Sequence, residues 1–142
     1  MPRVFILNGV NLGSLGERRP EVYGEQTLED IQWVLRDQFP DADLEFRQTD
    51  HEGELVAWIH EAANSDGLVL NPGAWTHYSY AIHDALETVS VPKVEVHLSN
   101  IHSREEWRRA SVVSPAVDAV VAGMGARGYE AAVGYILERL ER

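Results

Sequence analysis

Short apolar runs alternate with segments of helical period along this chain, and this alternation constrains its fold more than any other feature. Residues 4–7 form a continuous apolar run that ends in Asn-Gly, which is typical of a strand buried on both faces and closed by a turn. Similar runs span residues 68–70, 94–97 and 119–122, and a more polar run spans residues 43–48. The sequence therefore predicts five strands, with the polar one at the periphery.

The segments between and after these runs have the spacing of amphipathic helices. Thr27 is suited to cap the first helix, which carries acidic residues in its first turn. Ser103 and Glu106 have the spacing of a capping box, which predicts a short helix over residues 104–109. The longer predicted helices cover residues 28–39, 52–63, 78–88 and 129–140.

Strands that alternate with helices in this way imply right-handed crossover connections and a parallel sheet covered on both sides. We therefore expect an α/β flavodoxin-like three-layer sandwich with a five-stranded parallel sheet. The chain has 142 residues, 44% of them hydrophobic, so residues 1–142 are expected to form one domain with one core. Ligands bind beyond the carboxyl ends of such strands, where loops 8–11, 71–73 and 97–100 are expected to converge.

Composition excludes several classes of function. The chain has no cysteine, so thiolate metal sites, cysteine nucleophiles and disulfides are excluded, and six histidines without an HExxH motif give no reason to expect a metal. The formal net charge of -11 disfavours binding to nucleic acid or to an anionic membrane surface. No apolar run is long enough to span a bilayer, and we expect a cytoplasmic protein. Acidity with a single lysine also fits adaptation to concentrated salt.

The loop over residues 7–24 is unusually long for so small a domain, and loops of this length are often lids or binding segments. It carries Arg18, Arg19 and Tyr23. It lacks both Gly-Lys-Ser/Thr and a GxGxxG that opens a helix, so the sequence does not favour a nucleotide site. The alternative interpretation is a solvated surface loop whose arginines offset nearby acids.

Two strand ends carry further candidate residues. Asn71 lies where a strand turns into a helix, so its side chain and exposed N–H groups can form an anion site, although a turn and cap would look the same. Strand alternation places Glu95 and His97 on one face. The carboxylate can orient the imidazole and hold it protonated, as a general acid requires. A purely structural histidine is the alternative.

Three ordered segments, NGVNLGSLGERRPEVYG, LNPGAWTHYSYAIHDAL and EVHLSNIHSREEWRR, resemble type II 3-dehydroquinate dehydratases almost from end to end. The resemblance implies conversion of 3-dehydroquinate to 3-dehydroshikimate and water, without a cofactor, a metal or a lysine imine. It also implies homotrimers that pack into a dodecamer. The reaction could serve the shikimate pathway or quinate degradation, and the sequence leaves this choice open.

The same resemblance implies roles for five residues in the chemistry. Tyr23 matches the lid tyrosine that removes a proton from C2, and Arg18 matches the arginine that keeps it a tyrosinate. Asn11 matches the residue that holds a water against the enolate. His97 matches the general acid that protonates the departing C1 hydroxyl, and Glu95 orients it.

The resemblance further implies the substrate-binding residues Asn71, His77, Asp84, Leu98, Ser99 and Arg108. Leu98 and Ser99 would hold the substrate carboxylate, while His77 and Arg108 would hold ring hydroxyls. Asp84 matches an acid that reaches the site of a neighbouring subunit.

Three positions depart from the pattern of the family. Val10 replaces a common proline, Arg19 stands where an acidic or amide residue is usual, and His83 stands where arginine is frequent. Arg19 leaves open which of two adjacent guanidinium groups faces Tyr23. A non-catalytic flavodoxin-like module that binds a small anion or flavin is the alternative function.

Overall fold

A five-stranded, entirely parallel sheet forms the centre of the computed structural model, which describes residues 1–142. Its strands are β1 (Arg3–Asn8), β2 (Asp43–Gln48), β3 (Gly67–Asn71), β4 (Lys93–His97) and β5 (Ala119–Ala122). They lie in the order β2-β1-β3-β4-β5, so the polar strand β2 is at an edge. The predicted strands and flavodoxin-like α/β fold are confirmed.

The helices of the structure follow the predicted segments closely, except for a short one, α1, which lies within the predicted loop over residues 7–24. They are α1 (Pro20–Tyr23), α2 (Leu28–Gln38), α3 (Glu52–Ala62), α4 (Tyr80–Glu87) and α5 (Arg127–Leu140). Thr27 caps α2 as predicted, because its Oγ1 accepts the Asp30 N–H at 3.1 Å while the Asp30 carboxylate accepts the Thr27 N–H at 3.0 Å. This reciprocal pair satisfies two backbone donors that the first turn leaves free.

The two faces of the sheet bury separate apolar clusters. Val4 and Ile6 of β1 point into one cluster with side chains of α2 and α5, whereas Phe5 and Leu7 point into the other with side chains of α3 and α4. All four side chains are fully buried, and each contributes about 1.5–3 kcal/mol of transfer free energy. The fold therefore holds the carboxyl ends of the central strands rigidly.

The predicted helix over residues 104–109 exists only over Glu106–Arg109, and its predicted start and its Ser103 cap are wrong. The structure has two short 3-10 helices there, Ile101–Ser103 and Glu106–Arg109, with Arg104 in an extended conformation between them. Ser103 does not cap a helix, because its hydroxyl donates back to the Asn100 carbonyl at 3.1 Å. The interruption turns the Arg104 side chain towards the site described below.

Almost all acidic side chains of this protein lie outside its buried interior. Of the 23 acidic residues, only Glu95 is buried. None of the helices combines the length and the apolar character that crossing a membrane requires. A buried carboxylate needs specific hydrogen-bond partners, and these partners lie beside the cavity described next.

Candidate active site

The loops that follow β1 and β3 approach each other closely at the carboxyl edge of the sheet, and two glycines permit this. A Cβ on Gly9 would lie 2.7 Å from the Pro72 carbonyl oxygen, and one on Gly73 would lie 2.8 Å from the Val10 carbonyl oxygen. Gly73 also has a φ of +61°, which favours glycine. Val10 and Gly73 line a cavity between the loops.

The cavity gathers most of the residues that the sequence singled out. Four segments supply its walls: the loop after β1, α1, the turn after β3, and the loop after β4. The predicted site residues that line it are Asn11, Arg18, Tyr23, Asn71, His77, His97, Leu98, Ser99 and Arg108. Glu95 lies behind His97, and Asp84 lies outside the cavity.

Tyr23 lines the cavity, and two guanidinium groups lie close to its ring. The Cζ atom of Arg18 is 4.9 Å from the centroid of the tyrosine ring, and that of Arg104 is 5.0 Å from it. Arg19 instead pairs with Glu21 at 3.2 Å on the exposed side of the loop. The structure therefore brings Arg18, and not Arg19, against the tyrosine.

Arg104 was missed by the sequence analysis. Its Nη1 donates to Ser99 Oγ at 3.2 Å, and its Nη2 is buried without a hydrogen-bond partner. An unpaired buried guanidinium nitrogen is rare in folded proteins. Arg104 lies within the third family motif, which could have indicated a role in the site. The spacing of Ser103 and Glu106 is instead typical of a capping box, which predicts Arg104 in the first turn of a helix.

His97 and Glu95 form a buried pair at the end of β4. The His97 Nε2–H donates to Glu95 Oε2, and the carboxylate also accepts hydrogen bonds from Thr76 Oγ1 and, at 2.7 Å, from Ser114 Oγ. Burial alone would raise the pKa of Glu95, but its hydrogen bonds and the charge of His97 outweigh burial and lower the pKa below the ordinary value. Glu95 is therefore ionised at neutral pH.

This pairing also fixes the tautomer of the imidazole ring. A carboxylate only accepts hydrogen bonds, so the nitrogen that faces Glu95 carries a proton. The other ring nitrogen of His97, Nδ1, is left for the cavity that the residue lines. Thr76 and Ser114 were not identified from the sequence, because they come from segments 19 residues away on either side of Glu95.

The His77 ring carries its proton on the other nitrogen, Nδ1, whereas His97 carries a proton on Nε2. Its Nδ1 lies 2.7 Å from the Ala110 carbonyl oxygen, so this nitrogen is the donor. Burial, with the positive charges of His97 and Arg108, lowers the pKa of His77. The ring is therefore neutral at neutral pH and its Nε2 is an acceptor, as a ring hydroxyl of a ligand would require.

Arg108 lies beside His77 in the wall of the cavity. Its Nε donates to Glu105 Oε2 at 2.6 Å, and its guanidinium group stacks 4.0 Å from the centroid of the Trp107 ring. The same ring meets His77 edge to face, with centroids 5.1 Å apart. These contacts hold the guanidinium in one place, which suits binding to a hydroxyl group.

Asn11 and Asp84 occupy contrasting places. Asn11 adopts a left-handed conformation with φ 68°, and its backbone N–H donates to Asp50 Oδ1 at 2.8 Å, so its side chain is free to face the cavity.

Asp84 is exposed on α4 beside His83 and Glu87, and the potential ligand atoms of these three residues lie within 4.8 Å of one another. The chain does not bring Asp84 into its own cavity.

Comparison with known proteins gives a consistent result. A family model described as class II dehydroquinase matches residues 2–137. A 3-dehydroquinate dehydratase of Bacillus subtilis is 52% identical over 98% of this chain and 96% of the relative. The solved type II dehydroquinase of Propionibacterium acnes is 44% identical, with a TM-score of 0.93 over 97% of both chains. That of Butyrivibrio crossotus is 39% identical, also with a TM-score of 0.93, over 96% of this chain and 97% of that one.

Proposed function

The chain belongs to the class II dehydroquinase family, as a hydro-lyase of the type II 3-dehydroquinate dehydratase class, and from this premise we propose how its residues carry out the elimination. Membership confirms the resemblance of the three sequence motifs. One observation supports the mechanism above all others: a tyrosine flanked by two guanidinium groups shares a cavity with a histidine backed by an ionised carboxylate.

Tyr23 is the base that removes a proton from C2 of 3-dehydroquinate. A free phenol is about 0.1% ionised at pH 7, so it needs help to act as a base. The Cζ atoms of Arg18 and Arg104 lie about 5 Å from the centroid of the ring, where their positive charges attract the negative charge that the base must carry. Arginine suits this purpose because it stays protonated.

The electrons of the broken C2–H bond form an enolate at the C3 oxygen. Asn11 supports this charge through a bound water, because its side chain lies at the cavity and its backbone is fixed by Asp50. The cationic form of His97 then gives its Nδ1 proton to the departing C1 hydroxyl. The enolate electrons form the C1=C2 double bond as the C3 carbonyl re-forms, so the C1–O bond breaks and water leaves. Glu95 orients the imidazole and offers a negative charge to its cationic form.

The remaining residues of the cavity bind the substrate. The backbone N–H groups of Leu98 and Ser99, with the Ser99 hydroxyl, hold the carboxylate. Neutral His77 accepts a hydrogen bond from a ring hydroxyl and Arg108 donates one, which matches the tautomer and the fixed guanidinium described above. Asn71 stands beside this group at the end of β3.

The activity is tested by adding 3-dehydroquinate and following the absorbance of the conjugated enone that elimination creates. We expect turnover without added metal or cofactor, with 3-dehydroshikimate as the product. A folded protein that produced no enone, or that was yellow with bound flavin, would contradict the proposal. The phenotype of a gene deletion, aromatic auxotrophy or loss of growth on quinate, distinguishes the biosynthetic role from the degradative one.

The two adjacent arginines of the loop provide a matched pair for the charge on Tyr23. Arg18→Gln is expected to lower kcat roughly 100-fold, because a guanidinium that favours the phenolate is lost. Arg19→Gln is expected to change kcat less than about twofold, because Arg19 pairs with exposed Glu21. Steady-state kinetics at neutral pH measure both. Equal losses in the two variants would contradict the assignment.

We also propose that the chain assembles into trimers and that four trimers form a dodecamer. Asp84 is exposed outside its own cavity, so it is available to the site of a neighbouring subunit. Tyr80, the first residue of α4, and Tyr78 just before it are also exposed, at 68% and 60%, and exposed aromatic patches mark contact surfaces. Light scattering should give about twelve times the chain mass of 15.9 kDa. A mass equal to one chain would contradict the assembly.

A further inference from the structure

A chain of buried hydrogen bonds connects Asn71 to Tyr129 and Asn8, two residues that the mechanism above does not use. Asn8 and Asn71 are register partners at the ends of β1 and β3. Between them lies the hydroxyl of Tyr129, a fully buried side chain of α5. Asn71 Nδ2 donates to the Tyr129 hydroxyl at 2.9 Å, and this hydroxyl donates to Asn8 Oδ1 at 2.6 Å.

Backbone groups fix the direction of this chain at both ends. At one end, Asn8 Nδ2 donates to the Arg47 carbonyl at 3.1 Å, and a carbonyl can only accept. At the other end, the Gly73 N–H donates to Asn71 Oδ1 at 3.1 Å, and an N–H can only donate. Every amide and hydroxyl between these ends is therefore held in one orientation.

We propose that Tyr129 is a positioning residue of the active site, which acts through Asn71. Its hydroxyl holds the Asn71 amide in one orientation, and this orientation decides where the amide oxygen and the amide nitrogen lie relative to the substrate. This proposal rests on the proposed function, because it needs Asn71 to contact the substrate. Without the Tyr129 hydroxyl, the Asn71 amide loses the acceptor of its Nδ2 and keeps only the Gly73 N–H on its Oδ1, so one of the two contacts that oppose its rotation is gone. A rotated amide would exchange a donor for an acceptor at the wall of the cavity that Asn71 lines.

The Tyr129 hydroxyl keeps the same protonation state throughout the reaction. Burial raises the pKa of Tyr129 beyond the range in which proteins are assayed, although its hydrogen bond from Asn71 opposes this. The hydroxyl therefore stays neutral, as a group that must accept one hydrogen bond and donate another requires. Tyr23, by contrast, lies at the cavity beside two guanidinium groups.

The test is Tyr129→Phe, assayed well below its melting temperature. We expect kcat/KM to fall at least about tenfold, the loss expected from one misplaced polar contact. The shape of the pH profile should not change, because Tyr129 does not titrate in this range. A purely structural role would lower the melting temperature and leave kcat/KM of the folded protein unaltered. A kcat/KM within twofold of the wild type would therefore overturn the proposal.

A double-mutant cycle shows whether the effect passes through Asn71. Tyr129→Phe should add almost nothing to the loss caused by Asn71→Ala, since the amide that it positions is already gone. Losses that multiply in the double variant would overturn the proposal. Tyr135→Phe is the matched control on α5: this tyrosine is 40% exposed and contacts only Arg139 through its hydroxyl, so kcat/KM should not change.

Asn8→Ala decides the question if Tyr129→Phe does not fold. Asn8 does not line the cavity, yet its loss releases the Tyr129 hydroxyl to turn towards Asn71. A fall in kcat/KM of about fivefold or more supports the proposal, and a value within twofold of the wild type overturns it. Wild-type protein without dehydratase activity would refute the proposed function itself, so the two failures are distinct.

Discussion

Tyr23→Phe is expected to reduce kcat by at least about 1000-fold while the protein remains folded. The substitution removes one oxygen atom, and with it the only base that the cavity offers beside two guanidinium groups. Loss of a positioned general base costs about 10²- to 10⁴-fold in rate. Enone formation measured at saturating 3-dehydroquinate gives the loss directly.

Binding and stability serve as controls for this variant. Tyr23 is half-buried on the four-residue helix α1, and its ring packs against one of the two apolar clusters. Phenylalanine keeps this ring, so the melting temperature should change little. Titration calorimetry should show that a substrate-like hydroxy acid still binds, because the carboxylate and hydroxyl contacts come from other residues. Turnover retained within tenfold of the wild type would assign the base to another group.

Local patterns explain why so much of this protein could be predicted from its sequence. The apolar runs of β1 and β3 reach both faces of the sheet, so continuous hydrophobicity located these strands. Glu95 and His97 alternate along one strand, and strand geometry alone places them on one face. The order of strand and helix then required that the loops after the strands meet.

Contacts between distant segments could not be predicted in this way. Arg104 reaches Tyr23 only because residues 101–109 form two separate turns, and no local spacing encodes that break. Thr76 and Ser114 contact Glu95 from two different 3-10 helices, Gly73–His77 and Ser114–Ala116. In the sequence pattern, Tyr129 is one of the apolar positions of a helix. Only the packing of α5 against the sheet brings its hydroxyl into hydrogen bonds with two asparagines.

His97→Ala is expected to lower kcat about 10²- to 10⁴-fold. It is also expected to reverse the pH dependence of stability, so that the variant gains stability as pH falls where the wild type loses it. The loss of rate follows from removal of the general acid. The change in stability follows from Glu95, which stays fully buried but loses the imidazole that pairs with it. Removing one partner of a buried pair costs about 3–5 kcal/mol.

The direction of the pH dependence follows from the pKa of Glu95. In the wild type this pKa is lowered below its ordinary value of 4.5, so the pair stabilises the fold above pH 4.5 and the contribution is lost as pH falls further. In His97→Ala, burial is opposed by fewer partners and the pKa of Glu95 should rise. The protonated form is then favoured in the fold, so the variant should be destabilised at pH 7 and recover stability as pH falls towards 4.5.

Urea unfolding at pH 7 and at pH 4.5 measures this reversal, and a second substitution identifies its source. Glu95→Gln in the His97→Ala background removes the unpaired charge while Thr76 and Ser114 keep an amide as their partner. The double variant should be more stable than His97→Ala at pH 7 and should lose the recovery at low pH, without regaining turnover. If His97→Ala were as stable as the wild type at pH 7, the buried charge of Glu95 would not depend on His97, and the proposed orientation of the general acid would fail with it.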